Sequence, residues 1–361
     1  MKLRIPEHLL SINPYVAGKP LEELEREYGI SGSVKLASNE NPLGPSPKAI
    51  RAIEKALEKL HRYPDSNGYY LIKKLCASLN VGPENIVLGN GSDDIIGLVA
   101  HAYLQPGDEA ILPEPSFLMY TIEITGTGAT PIFVPLKSLR IDLDGILDRI
   151  TPKTRLIFLC NPHNPTGTII LKHEFERFLE KVPPETAVII DEAYIEFVRE
   201  RDCLNSVDYL DSENALIILR TFSKAYGLAG LRVGYGIMPP EISNLLNRIR
   251  QPFNTGTLAQ IGAMAALDDL RFVQKTREIT HSGLDFLYGA LEKMSLRYFP
   301  THANFFLIDV GRDADEIFKR MLQEGVIVRS MTSYGYPQYI RINVGLPEEN
   351  ERFIMALKKV I

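Results

Sequence analysis

The sequence has few cysteines, no long apolar segment and no excess of positive charge. Cys76, Cys160 and Cys203 are odd in number, lie far apart and form no C-x-x-C pair, which argues against a disulfide framework and a structural zinc site. No apolar run approaches the ~20 residues that a membrane-spanning helix needs, and the start lacks the apolar core of a signal peptide. We therefore expect a soluble, cytoplasmic protein with no membrane partner and no bound metal.

The overall composition is that of an ordinary globular protein. The chain has 361 residues, of which 45% are hydrophobic and 24% charged, and its net charge is −5. This length allows two domains, and the mildly acidic charge gives no electrostatic reason to expect nucleic acid as a partner. Any anionic ligand must therefore be held by local arginines and backbone amides.

From residue 85 onward, short apolar segments alternate with helical patterns. The sequence predicts strands at 85–88, 109–112, 130–134, 156–159, 187–190, 215–219 and 233–237. Repeated strand and helix units with nearly continuous apolar strands indicate an α/β fold with a mostly parallel, seven-stranded sheet between helices.

The rest of the chain predicts a second, smaller unit. Helices are expected at 258–280 and 282–294, followed by an alternating tail that includes a strand at 326–329. We expect an N-terminal arm (1–30), a large domain (31–260) and a small α+β domain (261–361). The arm is expected to pack on the small domain or on a partner subunit.

Lys224 follows one of the most apolar predicted strands, at 215–219. It lies in the run Thr221-Phe222-Ser223-Lys224-Ala225-Tyr226-Gly227, whose neighbours are small or apolar. Exposed lysines usually keep their ammonium group hydrated, whereas a lysine in a cleft can lose its proton and attack a carbonyl. The segment therefore predicts a Schiff-base lysine, and a structural lysine is the alternative.

Two further predicted strands end in polar residues. The run Gly89-Asn90-Gly91-Ser92-Asp93 joins a strand to a helix, where glycines and helix amides suit a phosphate; a plain glycine turn capped by Ser92 or Asp93 is the alternative. Asp191 ends the strand at 187–190, where a buried carboxylate needs a cation such as a protonated pyridine nitrogen; a helix cap or an ion pair is the alternative.

Three more positions complete the candidate site. Asn164 lies in a Pro-rich loop after the strand at 156–159 and can offer an amide to a ligand oxygen, while Ser223 and Arg232 can donate to a phosphate. Phe117 follows another strand end and can cover a flat ring, although it could equally be a core residue. A lysine for a carbonyl, an aspartate for a ring nitrogen and donors for a phosphate are together what pyridoxal 5′-phosphate requires.

With these motifs, the chain resembles the fold-type I aminotransferases of class I/II, and among them the histidinol-phosphate aminotransferase group. The matching runs span nearly the whole chain: Leu36 to Gly44, Arg62 to Pro64, Gly89 to Asp93, Cys160 to Gly167, Asp191 to Tyr194, Ser223 to Gly234, Val326 to Arg329 and Tyr339 to Ile342. Two departures stand out. Family members often read Pro-Phe-Asn-Val-Asn where this chain has Pro252-Phe253-Asn254-Thr255-Gly256, and Phe117 replaces a frequent tyrosine.

The resemblance implies a role for each matching residue. Lys224 would carry the cofactor as a Schiff base, with Asp191 and Tyr194 as the other catalytic residues. The implied contacts to the cofactor are Asp191 to the pyridine nitrogen, Phe117 to the ring, Asn164 and Tyr194 to the phenolic oxygen, Ser92, Asp93, Ser223 and Arg232 to the phosphate, and Tyr63 from the second subunit of a homodimer. The implied substrate residues are Arg341 for a carboxylate and Arg329, Tyr15 and Asn39 for a phosphate.

The resemblance also implies the reaction: ping-pong transamination of histidinol phosphate with 2-oxoglutarate, in histidine biosynthesis. Within the superfamily the alternatives are an aromatic amino-acid aminotransferase and a threonine-phosphate decarboxylase. A non-catalytic regulator that kept the fold is disfavoured because no DNA-binding module is evident, and a Rossmann dehydrogenase because no G-x-G-x-x-G opens a βαβ unit.

Overall fold

A computed structural model describes residues 5–15 and 18–361. The helices are α1 (Glu7–Leu10), α2 (Leu21–Tyr28), α3 (Pro47–Glu54), α4 (Tyr69–Leu79), α5 (Ser92–Tyr103), α6 (Leu118–Gly126), α7 (Leu143–Leu147), α8 (Lys172–Leu179), α9 (Pro240–Ile249), α10 (Thr257–Leu267), α11 (Leu270–Lys293), α12 (Ala314–Gln323) and α13 (Pro347–Val360). The strands are β1 (Val34–Lys35), β2 (Ile86–Gly89), β3 (Glu109–Glu114), β4 (Thr130–Pro135), β5 (Thr154–Cys160), β6 (Ala187–Asp191), β7 (Leu216–Thr221), β8 (Gly234–Ile237), β9 (Arg297–Phe299), β10 (Phe305–Asp309), β11 (Val326–Ile327), β12 (Arg329–Ser330) and β13 (Tyr339–Asn343).

The predicted seven-stranded sheet is confirmed, and its strand order is β2-β8-β7-β6-β5-β3-β4. All neighbouring strands are parallel except that β8 runs antiparallel to both β2 and β7. Helices cover both faces: α5, α6 and α9 pack on one, and α3, α4, α8 and α10 on the other. Both faces of each central strand are therefore buried, which explains why these strands are apolar throughout.

A second, antiparallel sheet has the strand order β12-β13-β10-β9 and packs against α11, α12 and α13. The predicted strand at 326–329 is in fact two short strands, because β11 pairs in parallel with β1 while β12 pairs with β13. Leu24 of α2 packs against Leu322 and Ile327 beside this sheet. The division of the chain at residues 30 and 260 stays a prediction.

The predicted helix boundary near residue 281 is wrong. The break lies instead at Asp268 and Asp269, and α11 then continues without interruption to Lys293. Ser46 Oγ donates to the buried Asp269 carboxylate at 2.7 Å, and Lys48 Nζ donates to the Asp268 carbonyl at 2.7 Å. These tertiary partners stabilise the break at two residues that are poor helix formers.

Gly283 lies inside α11, two residues from the wrongly predicted boundary, and it allows close packing there. A Cβ atom at this position would lie 2.3 Å from Val344 Cγ1, so glycine lets the helix approach the end of β13. Within residues 5–15 and 18–361, no helix is both long and apolar enough to cross a lipid bilayer.

Candidate active site

The carboxyl ends of β5, β6 and β7 meet the start of α5 in a cleft, which is where parallel α/β sheets bind ligands. A cavity of about 260 Å³ lies in this cleft. Most of the residues singled out from the sequence line it: Tyr15, Ser92, Asp93, Phe117, Asn164, Asp191, Tyr194, Ser223, Lys224 and Arg232. Seven further residues line it for which no role in the site was predicted: Ser38, Glu40, Met119, Cys160, Ala193, Thr221 and Ala229.

Lys224 lies in the tight turn that follows β7. Gly227 has φ 70°, and a Cβ there would lie 2.0 Å from the carbonyl oxygen of Gly44, so only glycine allows the two loops to meet. Lys224 Nζ donates to the Ser38 carbonyl oxygen at 3.2 Å. Burial, followed by the nearby Arg341 guanidinium, lowers the Lys224 pKa to about 8. A substantial fraction of this amine is therefore neutral, and nucleophilic, near pH 8.

Asp191 is the last residue of β6 and only 4% exposed. Its carboxylate accepts hydrogen bonds from the Tyr120 hydroxyl at 2.6 Å and from the Ala193 amide at 3.1 Å. Burial raises its pKa to about 6. No cation of the described chain pairs with it, so a ligand that brings a positive charge or an N–H donor would be favoured here. Tyr120 was missed because a tyrosine in an apolar helix is usually a core residue.

The start of α5 and the lysine turn form an anion site. The capping position is Gly91, with φ 83°, and no side chain caps the helix, so neither Ser92 nor Asp93 has the capping role of the alternative interpretation. The first amides of α5 therefore have no side-chain acceptor at a helix start whose residues Ser92 and Asp93 line the cavity. A Cβ on Gly91 would lie 2.6 Å from Arg232 Nη2, so glycine also lets this guanidinium approach the helix.

The Arg232 side chain is held in place by three neighbours, one of which is the Ala229 carbonyl oxygen, which accepts from Nη1 at 3.1 Å. Its Nη1 also donates to Ser223 Oγ at 3.3 Å, and its Nη2 lies 3.5 Å from Asp93 Oδ2. The Asp93 pKa is raised by burial, against the opposing effect of Arg232 and Lys224. A hydroxyl, a guanidinium and a helix start thus face the same point, which is a suitable arrangement for a phosphate.

The opposite wall of the cleft comes from the smaller sheet. Arg341 is 7% exposed, donates from Nη1 to Asn164 Oδ1 and from Nη2 to the Ala37 carbonyl at 3.3 Å, and its Nε has no partner among the described residues. Burial lowers its pKa. Arg329 lies directly opposite Arg341 on the neighbouring antiparallel strand. Two adjacent guanidinium groups favour an anion between them.

Asn39 and Tyr194 connect the two walls. Asn39 Nδ2 donates to the Tyr194 hydroxyl at 3.0 Å, and Asn39 Oδ1 is buried with no partner in the described part of the chain. The Tyr194 ring centroid lies 5.8 Å from Lys224 Nζ, and burial raises the pKa of its hydroxyl. Asn39, Arg329 and Arg341 are not among the residues that line the cavity, but Asn39 contacts Tyr194 and Arg341 contacts Asn164, both of which line it.

Phe117 and Tyr63 occupy different environments. Phe117 lines the cavity and makes edge-to-face contacts with Tyr15 and Tyr120, at centroid distances of 6.4 and 5.6 Å. Tyr63 is 83% exposed and stacks on Phe253 at 4.7 Å, outside this cavity. Its predicted role across a subunit interface stays a prediction. Among the described residues, no group of three or more His, Cys, Asp or Glu side chains could hold a metal ion.

Comparison with known proteins shows which family the chain matches. Residues 31–357 match the family described as aminotransferase class I and II. The chain is 48% identical over 356 residues to histidinol-phosphate aminotransferase of Moorella thermoacetica, covering 98% of this chain and 92% of that protein. It is 46% identical over 360 residues to the Desulfotalea psychrophila protein of the same name, covering 99% and 95%.

A solved structure agrees with these sequence relatives. The crystal structure of histidinol-phosphate aminotransferase from Sinorhizobium meliloti, in complex with pyridoxal-5′-phosphate, is similar with a TM-score of 0.92 and 28% identity, over 100% of this chain and 98% of that one. The predicted fold-type I architecture and the predicted family are confirmed. This chain belongs to the class I and II aminotransferases.

Proposed function

We propose that this aminotransferase uses pyridoxal 5′-phosphate to transfer an amino group from histidinol phosphate to 2-oxoglutarate. The observation that carries the proposal is that the Lys224 amine, with its lowered pKa, shares one cavity with the buried Asp191 carboxylate and with the anion site at the start of α5. We propose histidinol phosphate as the substrate because two relatives are named histidinol-phosphate aminotransferase. Histidine biosynthesis would be the pathway.

The residues of the cleft fit this cofactor. Asp191, which lacks a cationic partner in the described chain, would pair with the ring nitrogen, and the uncapped amides at Ser92 with Ser223 and Arg232 would hold the phosphate. Asp93 would keep Arg232 oriented. Phe117 would cover the ring, while Asn164 and Tyr194 would contact its phenolic oxygen. When bound, the cofactor supplies an aldehyde for Lys224 and a ring that accepts electron density.

Lys224 moves the proton in this scheme. Ser38 holds the neutral amine at 3.2 Å from its carbonyl oxygen, and the lowered pKa allows the amine to accept a proton from the substrate carbon and to release it again. Because the pKa is about 8, both protonation states are populated near neutral pH. One side chain can thus act as base and then as acid.

The two arginines of the smaller sheet would bind the substrates. A ping-pong enzyme must hold a phosphate monoester in one half-reaction and a dicarboxylate in the other, in the same cleft. Arg341 and Arg329 lie opposite each other and suit either anion, and the unpaired Arg341 Nε leaves one donor for a ligand. Asn39 Oδ1 and Tyr15 are further polar groups available on this side.

Assembly and location are part of the same proposal. Four exposed aromatic residues form two contacting pairs, Tyr63 with Phe253 and Tyr69 with Tyr70. A surface of this kind is suited to association with a second copy, so we expect a homodimer in which Tyr63 completes the partner's phosphate site. All three cysteines are unpaired, as suits the reducing cytoplasm.

Steady-state kinetics with a panel of amino donors tests the proposal. We expect kcat/KM for histidinol phosphate to exceed that for phenylalanine by at least about 100-fold, since its phosphate would bring close to two negative charges to the pair of arginines, whereas the phenylalanine carboxylate would bring one. Preference for phenylalanine would make the protein an aromatic aminotransferase, and release of carbon dioxide from phosphothreonine would make it a decarboxylase. Purified protein that stays colourless when given excess pyridoxal phosphate would end the cofactor assignment.

A further inference from the structure

Residues 250–256 connect α9 to α10 beside the anion site, and they include Thr255 and Gly256, the two positions at which this segment departs from the family pattern. Phe253 has φ 62°, a left-handed conformation that is strained for a bulky aromatic residue. Such backbone strain persists only where the surrounding contacts fix it. The residue that follows, Asn254, makes those contacts.

Both the nitrogen and the oxygen of the Asn254 side-chain amide form hydrogen bonds within the protein. Its Nδ2 donates to Asp94 Oδ2 at 2.7 Å and to the Leu88 carbonyl oxygen at 3.0 Å. Its Oδ1 accepts a hydrogen bond from Arg250 Nη1 at 2.6 Å. The two amide hydrogens therefore go to acceptors on β2 and on the first turn of α5.

The acceptors of Asn254 lie on both sides of the turn that shapes the anion site. The Asp94 carboxylate oxygen that accepts from Asn254 also accepts from the Asn90 amide, at 2.9 Å. Leu88 precedes Gly89 at the end of β2. One side chain thus holds the turn at Leu88 and, through Asp94, at Asn90, immediately before the uncapped start of α5.

We propose that Asn254 is a positioning residue for phosphate binding: it fixes the turn at 88–91 so that the first amides of α5 and the hydroxyl of Ser92 already face the anion. A preorganised anion site binds more tightly because less order is lost on binding. The inference rests on the proposed function for the identity of the anion as the phosphate of the cofactor. Asn254 itself does not line the cavity.

The same segment also anchors the loop that carries Tyr63. Arg250 Nη2 donates to the Ser66 carbonyl oxygen at 3.0 Å, and Gln260 Nε2 donates to the carbonyl oxygens of Asp65 and Thr255 at 2.8 and 2.9 Å. Substitution of Asn254 removes only the bonds toward Asp94 and Leu88 and the acceptor for one Arg250 nitrogen. Its effect should therefore be local to the turn.

Asn254→Ala tests the proposal in the cofactor-free protein. We expect the Kd for pyridoxal phosphate, measured by absorbance titration, to rise about 10- to 100-fold, as for the loss of two partly buried hydrogen bonds, one of them to a carboxylate. Amide hydrogen exchange at Asn90 to Ser92 should accelerate before any cofactor is added. The KM for the amino donor should change less than about threefold. Asn247→Ala is the matched control, because Asn247 contacts Arg250 Nε from an exposed position and does not touch the turn.

Asn254→Asp separates positioning from general destabilisation. At pH 8 the new carboxylate would keep Arg250 as the partner of one oxygen, while its other oxygen would face the Asp94 carboxylate and the Leu88 carbonyl and repel both. At lower pH a proton shared by the two carboxylates restores a donor. We expect the ratio of its Kd to the wild-type Kd to fall as the pH falls from 8 to 5.5. The double variant Asn254→Asp with Asp94→Asn, which exchanges amide and carboxylate, should recover part of the affinity at pH 8.

Each result has a defined meaning. Wild-type Kd and wild-type amide protection in Asn254→Ala would overturn the proposal, as would an equal loss in Asn247→Ala. If the wild-type protein binds no pyridoxal phosphate, the proposed function fails, and inorganic phosphate becomes the probe. Protection of the Asn90 to Ser92 amides by phosphate in the wild-type protein but not in Asn254→Ala would then still support the positioning role.

Discussion

The two walls of the cleft differ in how the side chains of their main polar residues are satisfied. On the wall built by the large sheet, Asp191 is hydrogen-bonded by Tyr120 and Ala193, and Arg232 by Ser223. On the wall built with the smaller sheet, Arg341 Nε and Asn39 Oδ1 are buried without partners in the described residues. Unsatisfied buried polar atoms are destabilising, so their presence points to a ligand that completes them.

This difference shows which part of the site the chain forms by itself. We call the wall with Asp191 and Arg232 the cofactor wall, and the wall with Arg341 and Asn39 the substrate wall. The groups proposed to hold the cofactor lie at the ends of neighbouring strands of one sheet, where the fold fixes their spacing. The groups proposed to hold the substrate come from the Asn39 loop and from β12 and β13, which meet only through tertiary packing. We infer that the cofactor wall is preorganised, whereas the substrate wall is completed by its ligands.

Replacing Lys224 should have the largest effect, because its amine lies between the two walls. In Lys224→Ala, transamination should fall by about 10⁴-fold or more, since both the covalent attachment and the proton carrier are lost. The visible absorbance band of the attached cofactor should disappear. Single-turnover kinetics and absorption spectra measure both effects.

Lys358→Ala is the control for this substitution, because Lys358 is exposed on α13, far along the chain from the site. It should leave turnover and spectrum unchanged. A Lys224→Ala protein that kept the band would refute the assigned attachment point.

Arg341→Gln should have the next largest effect, and it should weaken the binding of substrate far more than the binding of cofactor. The kcat/KM for 2-oxoglutarate should fall by roughly 10²- to 10³-fold, because a carboxylate would lose its buried charged partner. The Kd for pyridoxal phosphate should change only a few-fold. Titration of the cofactor-free protein and steady-state kinetics provide the two values.

Arg312→Gln, at an exposed arginine, is the matched control for Arg341→Gln. It should alter neither the kinetics nor the cofactor affinity. Equal losses of substrate and cofactor affinity in Arg341→Gln would mean that the two walls act as one unit through the bond between Arg341 and Asn164.

The cofactor wall is easier to predict from the sequence than the substrate wall. Nearly continuous apolar runs identify the central strands, and Asp191 and Lys224 follow two of them, so local sequence places both residues at one edge of the sheet. The Tyr120 hydroxyl that supports Asp191 was not predicted, because 71 positions separate them. Its contact depends on how α6 packs on the sheet.

The substrate wall depends on register and on short strands. Arg329 and Arg341 face each other only because β12, two residues long, pairs with β13. Such a short strand has no period that a sequence pattern can reveal. The break between α10 and α11 has the same origin, since it is fixed by Ser46, more than 200 positions away in the chain.

Asp191→Asn should change the stability of the protein by only a few degrees in melting temperature, which is the smallest of the expected effects. The sign of that change tests whether the Asp191 carboxylate lacks a cationic partner until the cofactor binds. Burial raises the Asp191 pKa to about 6, above the ~3.9 of an exposed aspartate, so folding favours the protonated form. Its ionisation therefore lowers the stability of the cofactor-free protein progressively as the pH rises from about 4 to 6, and the deficit persists above pH 6.

The amide introduced by Asp191→Asn has no such ionisation and can still accept a hydrogen bond from Tyr120. At pH 8 the cofactor-free variant should melt roughly 1–5 °C above the wild type, and this difference should shrink toward pH 4.5. With pyridoxal phosphate present the order should reverse, because only the carboxylate pairs with a protonated ring nitrogen. Asp211→Asn, at an exposed position, should show neither effect. A variant that melts below the wild type at pH 8 without cofactor would mean that Asp191 stabilises the fold by itself, and the contrast between the two walls would no longer hold.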